Sequence, residues 1–204
     1  MKLIVFDMDG VLVDSSPSHT RAFHDLWSRY GVEGPEYSAI AGRPTREVVA
    51  AYTRDIEEWV NFKQQRARDY LAAEPVTFDD VLPSLETIRQ SGARMAVATG
   101  ASRTTAELLL RRAGIAGYFE FVLTAEAVQA GKPDPELYRT AVERFGAAPG
   151  DVAVVEDSAA GLEAAVAAST WVACVRTGLS IRSPYFLGSY RGLLEFAAAI
   201  GVLV

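Results

Sequence analysis

Cys174 is the only cysteine in the chain, so no intramolecular disulfide is possible. That fits a reducing cytoplasm. The cysteine lies in the apolar run Trp171–Val175 and reads as a small core residue rather than a reactive thiol. No apolar stretch approaches the roughly 20 residues needed to span a bilayer. The first apolar run, Leu3–Phe6, is too short for a signal peptide and ends in acids. The last, Leu193–Val204, is also short and reads as core packing. No Lys/Arg cluster appears, and the formal net charge of −6 weighs against a nucleic-acid partner. Repeats and low-complexity linkers are missing too. What remains is an ordinary globular composition, half hydrophobic and 23% charged. Its 204 residues suffice for one sizeable core plus a smaller appendage. The expectation is a cytoplasmic protein with no membrane or nucleic-acid partner, a monomer or a weak homodimer.

Five short apolar runs punctuate the chain: Lys2–Phe6, Arg94–Ala98, Phe119–Leu123, Val152–Val155 and Trp171–Val175. Each suits a buried parallel strand. Helical patterns separate them. Leu82–Gln90 has apolar residues at 82, 85 and 88 and stops at Gly92. Thr104–Arg112 opens on a Thr-x-x-Glu pattern (Thr104, Glu107) and stops before Gly114. Asp134–Phe145 places Asp134 at the cap, Pro135 in the first turn and Gly146 at the stop. Ser158–Ala168 is alanine-rich and can pack closely on a sheet. Strands alternating with helices predict an α/β fold, a Rossmann-like parallel sheet covered on both faces.

Residues 15–78 break the alternation. Pro17–Tyr30, Thr45–Thr53 and Ile56–Ala72 all read as helix, with Gly31 and Gly42 between them. The sequence therefore predicts a core domain of residues 1–14 and 79–204, carrying a helical domain of residues 15–78 inserted after the first strand.

In an open α/β sheet, ligands bind beyond the carboxyl ends of the strands. The first strand ends in Asp7, with Asp9 two residues on; the second ends in Thr99 and Gly100. The third is followed by Gly131-Lys132-Pro133, and the fourth ends in Glu156-Asp157. Acids are rarely buried without partners, so packing alone does not explain this series.

The series resembles the haloacid dehalogenase superfamily of phosphotransferases. The resemblance is carried by Asp7-Met8-Asp9-Gly10-Val11-Leu12-Val13-Asp14-Ser15, Val97-Ala98-Thr99-Gly100, Gly131-Lys132-Pro133-Asp134-Pro135 and Val155-Glu156-Asp157-Ser158-Ala159-Ala160-Gly161. It implies a phosphoglycolate phosphatase or β-phosphoglucomutase-like member with a helical cap. Asp7 would be the nucleophile, expected to be ionised at neutral pH because an unperturbed Asp has a pKa near 3.9, and would form an aspartyl-phosphate. Asp9 would protonate the leaving oxygen and later deprotonate water. The dehalogenating members lack that second acid, so Asp9 points to phosphorus chemistry. Thr99, Gly100 and Lys132 would hold the phosphoryl group. Two carboxylates repel a phosphate dianion, and an oxygen-rich site with phosphate suits Mg²⁺. By the resemblance its ligands are Asp7, the backbone carbonyl of Asp9 and Asp157, with Glu156 joining directly or through water.

Substrate contacts are expected from the insert: His19, and Arg43 or Arg46 in the loop Gly42–Glu47. Met8, Trp27 and Tyr30 read as packing residues, and Trp59 and Phe62 as the apolar face of a helix. The match has departures. Asp79-Asp80 stands where relatives often show Pro-Gly, Gly100 where they often have Asn or Ser, and Thr177–Tyr190 is unlike anything familiar. The leading expectation is a Mg²⁺-dependent phosphatase hydrolysing a small phosphorylated metabolite, such as a sugar phosphate or phosphoglycolate. The alternative is a β-phosphoglucomutase-like sugar phosphate mutase. A receiver-type signalling domain fits less well, because no acid ends the third strand. A catalytically silent binding protein fits less well too, because every reactive residue is present.

Overall fold

The computed structural model describes residues 1–40, 43–73 and 77–200. Gly42 and the last four residues of the closing apolar run lie outside them. The chain forms two compact units, Met1–Asp14 with Thr77–Val204, and Ser15–Val76.

The first unit is built on a six-stranded sheet: β1 (Leu3–Phe6), β2 (Arg94–Ala98), β3 (Val122–Leu123), β4 (Val152–Glu156), β5 (Trp171–Val175) and β6 (Phe186–Tyr190). All neighbours are parallel, and the order across the sheet is β3-β2-β1-β4-β5-β6. Every residue of β1 and β4 is buried, as unbroken apolar runs in a doubly covered sheet require. Side chains alternate between faces. Leu3, Val5, Ala96, Val152 and Val154 pack with Leu137, Tyr138 and Ala141 of α7 (Glu136–Phe145) and Leu162 and Ala165 of α8 (Ala159–Ala167). Ile4, Phe6, Met95 and Val97 are also fully or almost fully buried, on the opposite face. The remaining helices are α5 (Val81–Gln90), α6 (Arg103–Arg112) and α9 (Leu193–Ile200), with α5 packed on α9.

The second unit holds α1 (Ser16–Tyr30), α2 (Tyr37–Ile40), α3 (Thr45–Val49) and α4 (Ile56–Ala73). Its core is aromatic: Phe23, Trp27 and Trp59 are buried, with Tyr30 stacked on Trp59 at 4.2 Å between ring centroids. Among the described residues no helix is long and apolar enough to cross a membrane.

Several local expectations shift. The unfamiliar stretch Thr177–Tyr190 contains the sixth strand. Only Val122 and Leu123 of the third run are paired as strand. Helix α6 starts one residue earlier than its Thr-x-x-Glu pattern suggests, because Ser102 accepts from the Thr105 N–H and caps it. Helix α7 starts at Glu136, with Asp134 Oδ1 accepting from the Glu136 N–H at 2.9 Å.

Candidate active site

The strand order reverses direction beside β1: β2 and β3 extend to one side, β4 to β6 to the other. A crevice opens where neighbouring connections leave in opposite directions, here at the carboxyl ends of β1 and β4. Asp7 extends the β1–β4 ladder by one bond, its N–H donating to the Val155 carbonyl at 2.9 Å. Its backbone is thus fixed by the sheet, and its side chain is buried.

Lys132 arrives from the loop before α7. Its Nζ donates to Asp7 Oδ1 and to Glu156 Oε1, at 2.5 Å each. Glu156, the last residue of β4, is fully buried. Oε1 also accepts from the Tyr138 hydroxyl at 2.6 Å. Oε2 accepts from the N–H groups of Asp157 and Ser158 and from the Ser158 hydroxyl, at 3.0 to 3.2 Å. The Ser158 hydroxyl in turn accepts from the Gly161 N–H at 3.1 Å, capping α8. Gly161 is glycine for a spatial reason: a Cβ there would lie 1.9 Å from the Glu156 carboxyl carbon. Gly10 has both a spatial and a conformational reason. Its φ is +77°, and a Cβ would lie 2.0 Å from Asp157 Oδ2.

Charge in this pocket is unbalanced. Burial works against the ammonium of Lys132, yet Asp7 and Glu156 overcome it and hold the lysine protonated, its pKa well above the ordinary range. Burial likewise opposes the Glu156 carboxylate, but Lys132, Tyr138 and Ser158 bring its pKa below normal. Asp7 is different. Burial raises its pKa well above 3.8; Lys132 opposes this, while Glu156, Asp9 and Asp157 add to it. Asp157 is pushed up to about 7 by burial and then by Glu156. The unperturbed value assumed for Asp7 from sequence therefore does not hold here. One ammonium does not offset four neighbouring carboxylates.

That excess suits a hard divalent cation. Carboxylate oxygens of Asp7, Glu156 and Asp157 lie within 4.8 Å of one another, and oxygen donors of this kind fit Mg²⁺. Proximity includes Glu156 in the group. Its hydrogen bonding argues for another role, because five donors already occupy its two oxygens.

Thr99 is buried at the end of β2 and its hydroxyl oxygen accepts from the Ala101 N–H at 3.0 Å, which leaves the hydroxyl proton to donate. Gly100 is exposed, and among the described residues nothing lies within 4 Å of a Cβ added there. Asp9 is half-buried, close enough to act on both Asp7 and Asp157. In the helical unit, His19 Nδ1 lies 2.9 Å from Nζ of the buried Lys63. Arg46 is exposed and paired with Glu57, and Arg43 is exposed.

Tyr138, Ser158, Gly161 and Lys63 carry roles that sequence reasoning did not give them. Tyr138 gives no chemical signal in the sequence, where it reads as one of the buried residues of α7 beside Leu137, Ala141 and Val142. Lys63 did leave a signal: it interrupts the buried series Trp59, Ala67 and Leu71 of α4, where a lysine needs a partner.

A family model for haloacid dehalogenase-like hydrolases matches residues 1–169. The chain belongs to that family. It is 32% identical to the phosphorylated carbohydrates phosphatase of Thermotoga maritima, over 82% of each chain. It is also 32% identical to the fructose-1-phosphate phosphatase YqaB of Escherichia coli, over 81% of this chain and 91% of the relative. A haloacid dehalogenase-like hydrolase from Bacteroides fragilis has the same fold, with a TM-score of 0.85 at 24% identity, covering 96% of this chain and 99% of that one. The chain is thus an enzyme, a phosphatase of the haloacid dehalogenase-like family.

Proposed function

We propose that this phosphatase hydrolyses a small sugar phosphate, with Asp7 as nucleophile and Mg²⁺ as cofactor. The observation that carries the reading is the buried Asp7–Lys132–Glu156 chain beside Asp157 at the strand-order reversal. Phosphatases of phosphorylated carbohydrates and of fructose 1-phosphate among the relatives support the substrate class.

Lys132 holds Oδ1 of Asp7, and among the described residues Oδ2 has no hydrogen-bond partner. A carboxylate oxygen of Asp7 attacks phosphorus and the ester P–O bond breaks. The departing oxygen takes its proton from Asp9, whose carboxylate then takes a proton from water as that water attacks the aspartyl-phosphate. Phosphate leaves and Asp7 is regenerated. Thr99 and the backbone around Gly100 donate to the phosphoryl oxygens, and Lys132 neutralises charge that develops there. Asp7, Asp157 and the Asp9 carbonyl would hold the metal, with Glu156 orienting Lys132 behind them. When bound, the cation supplies the positive charge that keeps Asp7 ionised and screens the incoming dianion.

Residues 1–14 and 79–204 form the catalytic domain in this reading, and the helical insert, residues 15–78, selects the substrate. His19, Arg43 and Arg46 are its candidate contacts. The enzyme acts in the cytoplasm, as a monomer or weak homodimer. The test is inorganic phosphate release from a panel of sugar phosphates with Mg²⁺, together with Asp7→Asn. Release that survives in Asp7→Asn would overturn the mechanism. Interconversion of sugar 1- and 6-phosphates without net release would replace hydrolysis with the mutase reading.

A further inference from the structure

We infer that Arg176 and Thr177, with Asp80, form a positioning device for the active-site loops, an inference that rests on the phosphatase reading of Asp7, Asp9 and Asp157. Arg176 follows β5 and lies outside the four sequence motifs that carry Asp7, Thr99, Lys132 and Asp157. Its Nη2 donates to the Val11 carbonyl at 3.2 Å, within the turn that follows Asp9 and Gly10. The same nitrogen donates to Asp80 Oδ1 at 2.7 Å, and the guanidinium lies over the Phe78 ring, 3.6 Å from its centroid. Asp80 is itself held by the Leu193 N–H at 2.7 Å, at the start of α9. One residue on, the Thr177 hydroxyl donates to the Asp157 carbonyl at 2.7 Å. Two adjacent residues therefore grip the backbone of both loops that bear the reacting and metal-facing carboxylates.

Arg176 occupies an unusual conformation to do this. Its φ is +69°, where glycine is at ease and a Cβ is not. Its Nε is buried with no acceptor among the described residues. These are unfavourable for a residue that serves only to fill space, and the side chain's Val11 and Asp80 contacts offset them. The Asp79-Asp80 pair, a departure from the family pattern in the sequence, finds its use here: a glycine at position 80 would leave the guanidinium without its carboxylate.

Misplacement of a catalytic group by about 1 Å costs on the order of a hundredfold in rate. Arg176→Ala is therefore expected to lower kcat on p-nitrophenyl phosphate by about tenfold to a hundredfold with KM within about threefold. Ethylguanidinium added to Arg176→Ala restores part of that kcat. Thr177→Val is expected to weaken Mn²⁺ binding, followed by electron paramagnetic resonance without substrate, by about threefold to tenfold. Glu120→Gln, which breaks the Arg94 ion pair at the other end of the sheet, should leave kcat and Mn²⁺ binding unchanged. The inference is overturned if Arg176→Ala keeps kcat within about twofold of the parent, or loses activity only in step with thermal unfolding and is not rescued. Should that variant not fold, Arg176→Lys with parental kcat, or Thr177→Val with parental Mn²⁺ affinity, overturns it equally. If the parent releases no phosphate, the functional reading has failed, and Mn²⁺ binding by Thr177→Val still decides the positioning.

Discussion

Gly161 and Tyr138 hold Glu156 by opposite means, one by leaving space and the other by filling it with a donor. An alanine at 161 must push into the Glu156 carboxylate, which five donors already fix. Gly161→Ala should therefore move Lys132 off Asp7. The expected outcome is a kcat at least about tenfold lower with far-UV circular dichroism unchanged, since the group displaced is the one that orients the site. Tyr138→Phe is isosteric and removes one buried donor to a charged acceptor. Its expected cost is about 1.5–3 kcal/mol in urea denaturation. Unchanged stability in that variant would mean Glu156 does not depend on the α7 hydroxyl. Gly10→Ala combines a positive φ with a collision at Asp157, so it should impair metal binding even where the protein folds.

Elements differ in how plainly the sequence announces them. The strands β1 and β5 are unbroken apolar runs, and β2 is one after Arg94, because both faces of the sheet are covered, and such runs end abruptly at polar residues. Among the described residues strand β6 is paired only with β5, and its residues are half-exposed or exposed, with Gly188 at φ +136° and a register shift against β5. It has neither a continuous run nor a clean alternation, so periodicity had nothing to detect. Helix α9 depends on a tertiary feature too: the carboxylate at its start belongs to Asp80, the residue that immediately precedes α5. Burial works against the charge of Asp80, but Arg176 and the N–H groups of Leu193 and Leu194 bring its pKa below 3.8. A depressed carboxylate stabilises the fold above its unfolded pKa, near 3.9. That stabilisation is lost as pH falls through the folded value. Thermal midpoints between pH 6 and pH 3 should thus decline more steeply in the parent than in Asp80→Asn, about pH values where carboxylates titrate. Parallel curves would show that Asp80 does not couple to folding.

At the scale of the molecule, a cation bound as proposed at Asp7 and Asp157 would enter the stability balance. A ligand at about 100 times its Kd adds roughly 2.7 kcal/mol. For a protein of this size that corresponds to a rise in Tm of about 5–10 °C. Mg²⁺ should give such a rise, EDTA should abolish it, and Asp157→Asn should not show it. The positions of Asp7, Asp9, Thr99, Lys132 and Asp157 were legible because a parallel sheet delivers its strand ends to one crevice. The raised pKa of Asp7 was not, since it depends on how many acids share that crevice with one lysine. Nor was the saturation of Glu156, whose partners come from α7 and the start of α8. The reversal of strand order beside β1 also has a kinetic meaning. Lys132 and Asp7 meet across 125 positions of sequence, and β4 must arrive before either has its neighbour Glu156. Such distant pairings are slow to close. A chain ending before Val152 would hold Asp7 and Lys132 but lack Glu156 and Asp157, so it is expected to release no phosphate.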